Sequence, residues 1–107
     1  MKYEMVRPCD QCPFLRKGGV RLRRMRIVNI VWAVLNWCDF SCHKTVEYDG
    51  DGDVPPVRGP NEQMCAGAMI FAEKHGCHMD RHGLKPLDRA SFRRVFGSIR
   101  EMLRVAL

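Results

Sequence analysis

Apolar residues recur at steps of three and four in two long stretches of the chain, and these mark its main helices. The cleaner pattern lies toward the end. Phe92, Val95, Phe96, Ile99, Met102, Leu103 and Ala106 follow the i, i+3, i+4, i+7 template without a gap. They predict an amphipathic helix over about 88–106, capped by Asp88. The second pattern covers 21–37, where Leu22, Met25, Val28, Trp32 and Leu35 form the periodic set. Ile27, Val28, Ile30, Val31 and Val34 are β-branched and favour strands. Seventeen residues exceed an ordinary strand, however, so helix is the better reading. The later half of this stretch is apolar all round, which predicts burial on more than one side. A shorter helix is expected over 65–74. Ala66, Gly67 and Ala68 suit close packing at its start, and Gly76 ends it.

The segments between are irregular. Pro8 and Pro13 bracket Cys9-Asp10-Gln11-Cys12, so this is a rigid turn. Phe14 and Leu15 can anchor it to a core, and Gly18-Gly19 breaks the chain before the first helix. Residues 39–46 read as a short extended or looped segment, 48–60 as a Gly- and Pro-rich loop, and 75–86 as a connector. The expected fold is mostly α (small α or α+β). It is one domain over 1–107, with two main helices and a short one around an irregular Cys-rich core at about 7–75.

Composition narrows the possible classes. The chain has 107 residues, 46% hydrophobic and 28% charged, with a net charge of +6. That length suits one small core, which often needs a staple. The longest uncharged run, residues 27–38, is too short to cross a bilayer, which takes about 20 residues. The first residues hold no apolar signal core, so a cytoplasmic location is expected. Charge is unevenly placed. Residues 1–37 carry +6, 38–80 carry −5 and 81–107 carry +5. This dipolar layout differs from that of a uniformly basic nucleic-acid binder.

In a reducing compartment the six cysteines read first as metal ligands or free thiols, before disulfides. Cys9 and Cys12 form a CxxC, which sets two thiolates on one tetrahedral edge. Cys42 and Cys65 are the best candidates to close the shell around zinc or, as the alternative, a 4Fe–4S cluster. His43 adjoins Cys42 and is either a rival ligand or a group that orients one. The plainer reading is a set of buried free thiols. A thioredoxin-type site would need a strand and helix before Cys9, and the chain there is too short for them. Cys38 and Cys77 lie outside any motif. His75, His78 and His82 near Cys77 read as a polar connector before a second metal site.

Three blocks resemble a known family. Pro8-Cys9-Asp10-Gln11-Cys12-Pro13-Phe14-Leu15-Arg16-Lys17, Phe40-Ser41-Cys42-His43-Lys44-Thr45-Val46 and Cys65-Ala66-Gly67-Ala68-Met69-Ile70 are similar to the PCxxCPFRK-like, FxCHKT and CAGA-like blocks of small proteins from bacteriophages and their bacterial hosts. The likeness covers about residues 7–75. It implies that Cys9, Cys12, Cys42, His43 and Cys65 act as a shared set, and it implies phage or prophage origin, hence the host cytosol. It implies no reaction, because the family has no assigned activity. Beyond residue 75 the chain departs from that pattern.

Arginines supply the other candidate site. Arg21, Arg23, Arg24 and Arg26 cluster at the start of the first helix, where cations oppose the helix dipole. Arg89, Arg93, Arg100 and Arg104 form a stripe along the last helix. Both sets are either phosphate-binding surfaces or solvated faces, and nucleic-acid binding gains weight if they fall on one side. Asp49-Gly50-Asp51-Gly52-Asp53 resembles half of a calcium loop, but its twelfth position is Pro60, so it reads as a turn. No catalytic motif is present, and Cys42 with His43 lacks a third residue to orient a base. The sequence therefore predicts a non-enzymatic accessory protein with a structural metal site, binding nucleic acid or a host protein through basic helices. The alternative is an iron–sulfur protein with a redox or sensing role.

Overall fold

The computed structural model describes residues 4–36, 63–77 and 86–107. Among these residues the fold is mostly helical and has no sheet. The helices are α1 (Arg24–Leu35), α2 (Ala66–Lys74), α3 (Arg89–Phe92) and α4 (Ile99–Arg104).

α1 lies within the stretch expected to be helical, but a different stripe packs inward. Ile27, Ile30, Val31 and Val34 are buried. Met25, Val28 and Trp32 are 73%, 42% and 65% exposed. Both stripes have helical spacing, because this stretch is apolar all round. Of the β-branched side chains, Ile27, Ile30, Val31 and Val34 took the interior and Val28 did not. α1 packs against both α2 and α4.

α2 is the central element. Every residue from Ala66 to Ala72 is buried. Cys65 stands at the N-cap position without a side-chain capping bond, and Gly76, at φ 78°, turns the chain away after its end. Phe71 stacks at a tilt on Phe14, with ring centroids 5.2 Å apart. Phe14, Leu15, Met64, Met69, Ile70, Val95 and Met102 complete the core around it.

The single helix expected over 88–106 is instead two short helices with an extended crossing between them. Val95 pairs with Leu15 in an isolated antiparallel bridge. Arg16 N–H donates to the Arg94 carbonyl (2.8 Å), and Phe96 N–H to the Phe14 carbonyl (2.9 Å). Continued helix would withdraw those groups from Phe14 and Arg16, just after the CxxC turn. Gly97 also weakens a helix at this point, by about 1 kcal/mol. Ser98 then starts α4. Its Oγ accepts from Glu101 N–H at 3.3 Å, while Glu101 Oε1 accepts from Gly97 N–H at 3.2 Å. This reciprocal arrangement resembles a capping box. Asp88 does stand at the start of α3, but its carboxylate takes the Ser91 hydroxyl (2.8 Å) rather than a helix N–H. Ser98→Ala is expected to cost about 1 kcal/mol, read from the chemical-denaturation midpoint. An unchanged midpoint would mean that the Ser98 hydroxyl does not hold the start of α4.

Candidate functional site

The CxxC turn is built by short local bonds. Cys12 N–H donates to the Cys9 carbonyl (3.2 Å) and Leu15 N–H to the Cys12 carbonyl (3.1 Å). The returning chain closes the turn, with Val20 N–H on the Gln11 carbonyl at 3.1 Å. Cys12 and Cys65 are buried, and Cys9 is half-buried. Cys65 enters from the N-terminus of α2. Its sulfur lies 3.3 Å from that of Cys12, although 53 residues separate them in the chain.

This pair is polarised. Cys12 is held well above the ordinary thiol range, first by its hydrogen bond to Cys65 and then by burial. Cys65 is held below that range, first because it accepts from Cys12. Burial opposes that shift, and N–H groups of Ala68 and Gly67 at the helix start support it. Gly67 is what allows the approach. A Cβ there would collide with the Cys12 sulfur and stand 3.2 Å from Phe14 Cβ.

The donor set fits a thiolate-binding ion in part. Sulfurs around a tetrahedral zinc, at about 2.3 Å each, lie a little under about 4 Å apart. The Cys12–Cys65 pair falls slightly inside that separation. Among the described residues, however, no three His, Cys, Asp or Glu side chains form a group that could hold an ion. Cys42 and His43 lie outside the described residues, as do Cys38, His78, His82 and the Asp49–Asp53 run. Cys77 is half-buried and its thiol points to the Leu35 carbonyl at 3.7 Å. His75 stacks on Phe71 at 4.4 Å and bonds its carbonyl at 2.9 Å, which gives it a packing role.

The arginines divide into two groups. Some are tied into the fold. Arg21 donates to the carbonyls of Leu15 (3.2 Å) and Arg16 (2.6 Å) and lies over the Phe96 ring. Arg89 pairs with Glu73 at 3.3 Å and lies over Phe92 at 4.6 Å. Arg23, Arg26 and Arg93 are exposed. The expected stripe from Arg89 to Arg104 does not run along one helix, because the chain leaves the helix between Arg93 and Arg100.

Three arginines do converge. Arg24 at the start of α1 and Arg100 and Arg104 on α4 line an open cleft of about 350 Å³ with Ile99 and Leu103. No carboxylate lines it. Arg24 is steadied by its bond to the Leu103 carbonyl at 3.4 Å. Glu101, the acid of α4, is directed elsewhere, to Arg16. Nearby, Lys74 donates to the Val95 carbonyl at 2.7 Å. Its pKa is lowered by partial desolvation and by Arg16, against the pull of Glu101.

The sequence named both basic sets but could not tell which members would meet, since the two sides of the cleft lie more than seventy residues apart. The Ser98-x-x-Glu101 pattern and Gly97 were the local signals for the break that creates its α4 wall. No helix among the described residues is long and apolar enough to cross a membrane. No family model, curated protein or solved structure matches the chain.

Proposed function

We propose that this chain is a small, non-enzymatic accessory protein that binds the phosphate backbone of nucleic acid, with its cysteines holding a structural zinc ion. The observation that carries the reading is the cleft where Arg24 meets Arg100 and Arg104 with no acid in its lining. Three like charges held together repel one another, and an anionic ligand relieves that repulsion. Arginine forks also match phosphate oxygens better than a point charge does.

Cys9, Cys12 and Cys65, with Cys42, are the residues that would hold the ion, and a closed Cys-only shell is structural rather than catalytic. An iron–sulfur cluster would use the same thiolates. The three motif blocks support a phage or prophage origin, and reduced cysteines suit the host cytosol.

The test is fluorescence anisotropy of labelled oligonucleotides across a salt series. Affinity is expected to fall steeply between about 50 and 200 mM salt. Replacing Arg100 and Arg104 by Gln should weaken binding about tenfold and flatten the salt slope by about 2. Wild-type-like binding by that variant would refute the cleft. Metal and acid-labile sulfide analysis of anaerobically purified protein decides between zinc and cluster.

A further inference from the structure

α1 carries an apolar stripe that the core does not use. Met25, Val28 and Trp32 are 73%, 42% and 65% exposed. An indole so far in water is unusual, because tryptophan ordinarily gains by burial. Its position relates to the cleft. Arg24, Val28 and Trp32 lie at i, i+4 and i+8, so they form one row along α1. The row starts at the arginine cleft and ends at the indole about 12 Å away, from the rise of the helix.

From this we infer that the row is a binding track for single-stranded nucleic acid, with a base stacked on Trp32 and the adjoining phosphates held by Arg24, Arg100 and Arg104. The inference rests on the reading of the cleft as a phosphate site and adds the form of the ligand. Charge complementarity selects an anionic polymer, because the end of the track is lined by three guanidinium groups and no carboxylate. The indole selects an unpaired strand. In a duplex the base faces are stacked on each other, and a side chain on a helix surface reaches none of them without unstacking. A single strand offers a free π-face at every nucleotide, and stacking on an aromatic side chain tolerates any base. Val28, one turn before Trp32, supplies apolar surface beside the ring, and Met25, two turns before it, extends that surface toward the cleft.

The test compares a thymidylate oligomer of about 12 nucleotides, a uridylate oligomer of equal length and a blunt duplex, all by anisotropy at low salt. The full chain should bind both single strands about tenfold more tightly than the duplex. Trp32→Ala should weaken single-strand binding about tenfold, and Trp32→Phe should retain most of it. Trp32 is exposed, so neither change disturbs the core. In a Trp37→Phe background Trp32 is the sole indole, and its emission should be quenched by the thymidylate oligomer. If Trp32→Ala binds like the parent while the Arg100 and Arg104 variant is weakened, the stacking inference fails and the phosphate cleft stands. Equal affinity for duplex and single strand would likewise overturn the inference. No binding by any probe at about 50 mM salt would overturn both.

Discussion

Replacing Gly67 by alanine is expected to destabilise the fold by about 3 kcal/mol, enough to unfold much of a marginally stable small protein. The cause is local and steric. Gly67 is buried in the first turn of α2, between the CxxC turn and the helix cap. A methyl group there would overlap the Cys12 sulfur, approach Phe14 Cβ to 3.2 Å and lie 3.7 Å from the Cys65 sulfur. The Cys12 sulfur has only one torsion with which to move, and its side chain is enclosed. Relief therefore requires α2 to slide from the turn, which separates Cys12 from Cys65 and Phe14 from Phe71 together. Two other glycines calibrate the result. At Gly97 the nearest atom is the end of the Glu101 side chain at 3.0 Å, which can swing aside. At Gly76 a Cβ meets nothing within 4 Å. There the cost is the left-handed backbone alone, about 1 kcal/mol. Thermal and chemical denaturation of the three variants should therefore rank Gly67→Ala far below the others. If Gly67→Ala matches Gly97→Ala, α2 does not pack on the CxxC turn in this way.

How legible the fold was depended on whether periodicity had competitors. The helix at 65–74 was clear because Ala66 to Ala72 leaves few options and Gly76 marks its end. α1 was legible as a helix and illegible as a surface. Its apolar residues encircle it, so spacing alone could not choose between the Met25–Val28–Trp32 stripe and the Ile27–Ile30–Val31–Val34 stripe. The choice was made by α2 and α4, whose positions no local pattern encodes. The helix over 88–106 failed for the opposite reason. Its template match was complete, yet Val95 and Phe96 satisfy the template equally well in an extended crossing. Long-range pairing with Phe14, Leu15 and Arg16 decided between them. Phe92 on α3 and Ile99 on α4 thus belong to separate elements of one apparent stripe.

The sites divide along the same line. A CxxC is a local motif, so the turn at Cys9 and Cys12 was legible. That Cys65 would meet Cys12 was suggested only by the need to close a ligand shell and by the family-like blocks. The arginine cleft was legible only in part: Arg24, Arg100 and Arg104 stood among the candidate arginines, but which of the eight would converge was not. Arg21 and Arg24 look alike in sequence, but one is consumed by the Leu15 and Arg16 carbonyls and the other faces the cleft. Such a division of roles is set by tertiary distance.

On the proposed zinc site, Cys12→Ser and Cys65→Ser are each expected to abolish cooperative unfolding near the parent's melting temperature, and with it metal binding. Sulfur is the softer ligand and ionises more readily than a hydroxyl, so serine at either position removes a strong ligand from the proposed four-thiolate shell. Metal-binding free energy in such small domains is folding free energy, of the order of 10 kcal/mol. A core of this size has little else to replace it. Burial sharpens the effect. Cys65 is held toward its thiolate form within the core, where a lone anion is costly unless a cation neutralises it. Removing either member leaves the other sulfur in the core without its sulfur partner. Cys77→Ser is the control. That thiol is half-buried and its contact to the Leu35 carbonyl is long, at 3.7 Å, so little is lost with it. It should melt within a few degrees of the parent and keep its metal. Native mass spectrometry with thermal denaturation, before and after a strong chelator, reads all three. Chelation should bring the parent down to the level of Cys12→Ser. A parent that keeps its melting temperature without metal, beside cysteine variants that do too, would return these residues to ordinary core thiols.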